Sequence, residues 1–162
     1  MWHLTDPSAR HQQIAFRLCR IFAEVVEDAG RGGAWISINI TDREERWIDN
    51  HRCPDGAVIL NGNRGRWIGA NRVAFLGGPD LVVEVSGDAN DHDKFPFYGS
   101  VGVREVLLIE QASARPELWR WDGTRYRRGE EPVRSEVTGL EFARDASGLV
   151  VTDPATGRRW VV

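Results

Sequence analysis

Residues 77–95 read GGPDLVVEVSGDANDHDKF, and one residue in that stretch does not belong with its neighbours. Leu81, Val82, Val83 and Val85 are what a buried strand requires, and Glu84 stands among them. An ionised carboxylate taken out of water costs several kcal/mol unless it is paired or binds a metal. Side chains two apart on a strand share a face, so Glu84 lies with Val82 and Ser86 while Leu81, Val83 and Val85 point the other way. The flanking GGPD and SGD bound a central strand of an open sheet. The carboxyl ends of such strands are where α/β proteins place their ligands. A lone lysine, Lys94, follows ten residues on. Pro96 is tolerated only in the first turn of a helix, so a short helix over 93–100 puts Lys94 at its start.

Working outward, the apolar residues Ile14, Leu18, Ile21, Phe22, Val25 and Val26 recur at helical spacing, which predicts a helix over 11–29 packed on one face. Asp6, Pro7 and Ser8 supply its start and Gly30 its stop. Trp35–Ile40 alternates as a strand does, with the stretch around Arg46–Ile48 as its expected partner. Ala57–Leu60 reads as a further strand entered through the turn CPDG. The Gly-, Asn- and Arg-rich run 61–72 reads as a loop. Val103–Ile109 is a nearly all-apolar strand. ELWRW and TRYRR form a hairpin across Asp122-Gly123. The end, LVVTDPATGRRWVV, reads as a second hairpin. Helix, strands, helix, strand, with two strands buried on both faces, predicts an α/β sandwich around a central mixed sheet, in one domain of 162 residues.

Composition excludes several classes. The formal net charge is −3, which marks neither a general nucleic-acid coat nor a membrane-surface protein. No run approaches the ~18 apolar residues of a membrane span. The cysteines, Cys19 and Cys53, are too few for a disulfide framework, so the expectation is a cytoplasmic protein with free thiols. Two arginine groups, Arg64, Arg66 and Arg72, and Arg125, Arg127 and Arg128, are surface clusters that could meet nucleic acid.

The chemistry gathers around Glu84. Asp55 opens the strand preceding it, and if the two strands are neighbours their carboxylates converge. Two such oxygens with water suit Mg²⁺ or Mn²⁺ better than zinc. A nearby ammonium adds a point charge for a phosphoryl oxyanion. Asp80 also spells PD with Pro79, but lies four residues before Glu84, roughly 13 Å away along the strand, and reads as a turn residue. His51 and Cys53 lack two further ligands at zinc spacing. Trp119 and Trp121 share a strand face and read as packing residues before base-stacking ones.

HRCPDGAVIL, GPDLVVEVSGD, DKFPFYGSVGVREVLLIE and ELWRWDGTRYRR together resemble the Uma-two family of restriction-endonuclease-like proteins over residues 11–142. Pro54-Asp55, Leu81–Ser86, Lys94, Tyr98 and Gly102-Val103 with Glu105 carry the likeness most strongly. The family is similar to the PD-(D/E)XK nucleases, in which glutamate and lysine stand two apart on one strand. Here that second position is Ser86. The resemblance implies that the lysine has moved to the following helix and points back. Asp55 and Glu84 then hold Mg²⁺ (or Mn²⁺) and Lys94 assists. His11 stands where family members often carry histidine, and a helix glutamate such as Glu24 serves as an extra ligand in some relatives. Two features depart from the pattern: a strand-forming segment before the first helix is missing, and Glu105 is followed by Val106 and Leu107 in place of an aromatic pair.

Two readings of different class follow. In the first, the chain hydrolyses phosphodiesters in nucleic acid, DNA before RNA, as a monomer or as a homodimer suited to cutting both strands. In the second, the same fold is a non-catalytic binding or assembly module in which Glu84 and Lys94 are a structural ion pair.

Overall fold

A computed structural model of the chain describes residues 8–87 and 91–162. The first helix, α1 (Ala9–Phe22), begins at Ser8, whose hydroxyl accepts the His11 N–H at 3.2 Å. This satisfies one of the amides that a helix start leaves unpaired. Ile14, Leu18, Ile21 and Phe22 form its buried face. The helix runs on into one wider turn over Ala23–Glu27, which delivers Val26 to the core, and Gly30 closes it in the left-handed region. Among the described residues fourteen strands follow: β1 (Gly32–Ile36), β2 (Ile40–Thr41), β3 (His51–Arg52), β4 (Gly56–Leu60), β5 (Arg66–Ile68), β6 (Ala74–Leu76), β7 (Leu81–Ser86), β8 (Glu105–Glu110), β9 (Arg115–Trp121), β10 (Tyr126–Arg128), β11 (Val133–Arg134), β12 (Glu141–Asp145), β13 (Gly148–Thr152) and β14 (Arg159–Val161). The helix α2 (Phe95–Val101) lies between β7 and β8, after a 3-10 turn over Asp91–Lys94.

The central sheet has the order β1-β4-β7-β8-β9-β10, with β7 and β8 parallel and the other neighbours antiparallel. It is therefore the mixed sheet expected from the strand pattern. The parallel pair needs a crossover, and α2 sits in it. Odd and even residues of β7 serve two cores, as strand alternation requires. Leu81, Val83 and Val85 pack with Leu107, Ile109 and Leu118 against α1 and against the C-terminal sheet β11-β12-β13-β14. Val82 and Val106 pack with Phe97 and Tyr98 of α2, and with Ile40 and Phe75 of a small sheet ordered β3-β2-β6-β5. Glu84 belongs by parity to this second face.

Two expectations fail here. The strand read over Trp35–Ile40 ends at Ile36, because Ser37 takes a left-handed φ of 52°, and its partner is β4, not Arg46–Ile48. Arg46 is also left-handed (φ 54°) and starts a 3-10 turn over Trp47–Asp49. The fully buried Thr41 hydroxyl lies within 3.3 Å of the carbonyls of Arg43, Trp47 and Asn50, which fastens that turn. The run 61–72 is also not all loop: Arg66–Ile68 pairs antiparallel with Ala74–Leu76. Trp67 supplies the reason, since its ring packs 5.4 Å from Phe75 and 5.6 Å from Trp35. Both predicted hairpins are present, with Trp121 opposite Tyr126 and Thr152 opposite Arg159.

The contact between α1 and β4 is close. A Cβ at Gly56 would stand 2.6 Å from the Cys19 sulfur. Gly56→Ala therefore forces the helix off the sheet beside Asp55. The expected cost is about 1–3 kcal/mol, read from the midpoint of urea unfolding.

Candidate active site

β4 and β7 run antiparallel with Gly56 opposite Val83. One step further along this register, Asp55 stands opposite Glu84. The convergence anticipated for two neighbouring strands is thus a property of their register. Asp55 is not the turn residue that Asp-Gly suggests. Its Oδ2 accepts the Val85 N–H at 2.7 Å, and its Oδ1 lies 2.8 Å from His11 Nε2. The first bond caps the end of the β4–β7 ladder. The second reaches in from the first turn of α1.

Glu84 is only 3% exposed. Lys94 Nζ donates to its Oε2 at 2.7 Å, and the Tyr98 hydroxyl donates to its Oε1. Lys94 and Tyr98 are four residues apart across the start of α2, so one helical face delivers both donors. Tyr98 is fully buried, and burial, with the adjacent Glu84 charge, holds its phenol well above the usual tyrosine range. It therefore stays a donor. Burial also raises the Glu84 carboxyl above the ordinary glutamate range; Lys94 and Tyr98 pull it down, and the negative charge of Asp55 pushes it up again. Lys94 is the single lysine of the chain and keeps about a third of its side chain in solvent. A compact ammonium at the border of solvent suits contact with an incoming anion.

The remaining sequence candidates fall on both sides of the line. Ser86 is buried on the same strand face as Glu84, and its carbonyl accepts the Gln111 N–H at 2.8 Å. Glu24 is not at the site; it pairs at 2.8 Å with Arg158 near the C-terminal end. Asp80 is more than a turn residue. It is buried, and its carboxylate accepts the Leu60 N–H and the Asn63 amide, both at 2.8 Å, bracing the β4 end remote from Asp55. Trp119 packs on His92 and Phe95, and Trp121 on Tyr126, as packing residues do. His51 meets the Ile48 carbonyl at 3.0 Å, and among the described residues no group of three or more His, Cys, Asp or Glu has the arrangement of a metal cage. The sequence clusters of arginine are largely tied down: Arg66 to Glu44, Arg72 over the Trp67 ring, Arg127 to Asp122 and Arg128 to Glu117.

One neighbour, weighed in the sequence only as a zinc ligand, lies beside the carboxylates. Cys53 is solvent-exposed, and its thiol is raised by desolvation and by the charges of both Asp55 and Glu84, with Lys94 opposing. Cys19 lies on the other side of β4, where burial first and Asp55 second push its thiol up to about 12. It is an inert packing group.

A mixed sheet with the buried Glu84 and the partly exposed Asp55 at one strand end, and a lysine at the start of the following helix, matches the restriction-endonuclease-like pattern. The chain belongs to the Uma2 family, described as "Putative restriction endonuclease", whose model matches residues 2–147. Its fold is shared with a crystal structure from Anabaena variabilis, described as "a putative nuclease belonging to DUF820". That protein is 18% identical, with a TM-score of 0.62 over 82% of this chain and 75% of the other. The curated proteins contain no match. Among the described residues no helix is long and apolar enough to cross a membrane.

Proposed function

We propose that the chain is a metal-dependent nuclease that hydrolyses phosphodiester bonds, in DNA before RNA, with Asp55 and Glu84 as the ion's protein ligands. The observation that carries this reading is the buried Glu84, opposite Asp55 by register, with the Lys94 ammonium 2.7 Å from its Oε2. Burial, with a smaller push from the Asp55 charge, raises the Glu84 carboxyl in spite of Lys94 and Tyr98, so a further positive charge beside it would favour the ionised form. The donor set fits a hard divalent ion. Mg²⁺ characteristically takes one or two carboxylates and fills its other positions with water and substrate phosphate. When bound, such an ion lowers the pKa of water and offsets charge on the phosphoryl oxygens.

The chain's own residues do the rest. Val85 N–H and His11 Nε2 fix the two oxygens of Asp55, so its rotamer is set before any ligand arrives. Tyr98 fixes Glu84 in the same way. Lys94 stands at the border of solvent, where its ammonium meets a non-bridging phosphate oxygen and stabilises the charge that grows there. The burial of Glu84 keeps the field of these groups strong.

Calorimetric titration tests the ion. Mn²⁺ should bind the wild type and not Asp55→Ala. Lys94→Ala should still take up Mn²⁺ yet cleave DNA more slowly by on the order of 10²–10³. Absence of both Mn²⁺ uptake and cleavage of DNA and RNA in the wild type would replace this reading with a non-catalytic module.

A further inference from the structure

The nuclease reading leaves open how a strand reaches the carboxylates, and α1 supplies the surface. From Ala9 to Phe22 this helix contains no acidic residue, although the whole chain is net negative. Arg10, Gln13, Arg17 and Arg20 recur at three- and four-residue steps, so they form one stripe, and all four are exposed. Among the described residues no carboxylate pairs with Arg10, Arg17 or Arg20. Several arginines elsewhere on the surface, such as Arg43, Arg46, Arg115 and Arg128, are held by carboxylates, and exposed ones without such a partner among the described residues, such as Arg64, Arg125 and Arg144, do not line up on one helix.

Beside the stripe, Phe16 is 53% exposed and Ile36 of β1 is 51% exposed, an unusual pair of large apolar surfaces. Both line a groove of about 640 Å³, and its other walls include His11 and Asp55. The groove is thus continuous with the candidate active site, through the same His11–Asp55 contact of 2.8 Å.

Resting on the nuclease reading, we propose that the exposed face of α1 is a track for a single strand of nucleic acid. Phosphates lie along Arg10, Arg17 and Arg20, and one unstacked base sits against Phe16 and Ile36. From Arg10 to Arg20 the helix extends about 15 Å, enough to follow a short run of phosphates along one strand. Arginines without a carboxylate partner complement the backbone, and the Phe16 ring, which carries the Arg20 guanidinium 6.0 Å from its centroid, offers a stacking and cation–π surface that any base can use once it has left its partner. A paired duplex has no free base to place there, so the track favours single-stranded or opened substrate.

The test separates binding from cutting. In a Glu84→Gln background with EDTA, fluorescence anisotropy measures binding of a labelled single-stranded 20-mer and of its duplex over a salt series. The single strand should bind more tightly. Arg17→Gln with Arg20→Gln should flatten the slope of log K against log salt by about 1.4, two contacts at ~0.7 each. Phe16→Ala should weaken the single strand at least about fivefold and leave the duplex unchanged. Circular dichroism checks that each variant keeps its helix. Unchanged slope and affinity in these variants, or no binding by the parent, overturns the track. Cleavage by the protein with Glu84 intact is scored separately. If it cuts while the α1 variants bind normally, only the track fails. If the α1 variants lose binding as expected and nothing is ever cut, the track stands and the nuclease reading falls.

Discussion

Glu84→Gln is expected to raise the melting temperature at neutral pH while removing cleavage. The folded state holds the Glu84 carboxyl above its unfolded value, chiefly by burial. Between those two pKa values the native chain keeps a proton that the unfolded chain has released. Stability is therefore lost as pH rises through the window, and none of it returns above the folded value. Glutamine retains an acceptor for Lys94 or Tyr98 and never pays this ionisation penalty. Lys94, a third exposed, can turn its ammonium to water when the negative charge is gone. The gap between mutant and wild-type melting temperatures should thus widen as pH rises from the ordinary glutamate range through the raised Glu84 value. Activity should fall by at least on the order of 10²–10³, as for loss of a group that acts on transition-state charge. A mutant that melts below the wild type at pH 7 would identify the Glu84–Lys94 pair as a support of the fold, which is the binding-module reading.

Glu105→Ala should do the opposite and destabilise the protein by about 2–6 kcal/mol, about 1–3 kcal/mol for each of the two donors, the Ser135 hydroxyl and the Glu136 amide, left without an acceptor. Glu105 is 2% exposed at the start of β8. Its carboxylate accepts Arg120 Nε at 3.1 Å, the Ser135 hydroxyl at 2.6 Å and the Glu136 N–H at 2.8 Å. These three donors come from β9 and from the segment after β11, so one side chain ties the central sheet to the C-terminal one. Alanine leaves the fully buried Ser135 hydroxyl and a backbone amide without their acceptor. Glu105→Gln keeps part of the network and should cost about 1.5–3 kcal/mol, the range for hydrogen bonds to a charged group. Urea unfolding followed by tryptophan fluorescence reads both. A loss below about 1 kcal/mol in the alanine variant would show that the two sheets hold together without this tie.

The two glutamates explain what the sequence could and could not reveal. Leu81–Ser86 was legible because a strand alternates locally, and a carboxylate inside an apolar run is conspicuous. Lys94 and Tyr98 were legible as residues, but their shared grip on Glu84 follows from a helical spacing and a crossover that bring them back over β7. Glu105 also begins an apolar run, yet its partners lie 15 and about 30 positions downstream, beyond any local pattern. The failed pairing of Trp35–Ile40 with Arg46–Ile48 has a backbone cause: left-handed Ser37 and Arg46 are not residue types that announce such a turn. Short strands at Arg66–Ile68 and Ala74–Leu76 were hidden by the glycines and asparagines around them. Arginines adjacent in the chain drew notice and proved mostly paired. Those of α1 are spread over ten positions and meet only on the helix surface.

Carrying the ammonium on the turn that opens α2, instead of on β7, has a further consequence. The acid and its cation reside on separate pieces of chain, so neither the strand nor the helix is an armed fragment. Until α2 docks, a buried Glu84 without Lys94 and Tyr98 favours its neutral, proton-bearing form. In the nuclease reading, a nascent or partly unfolded copy is thereby disarmed, and the capacity to damage nucleic acid arises only on completion of the tertiary structure.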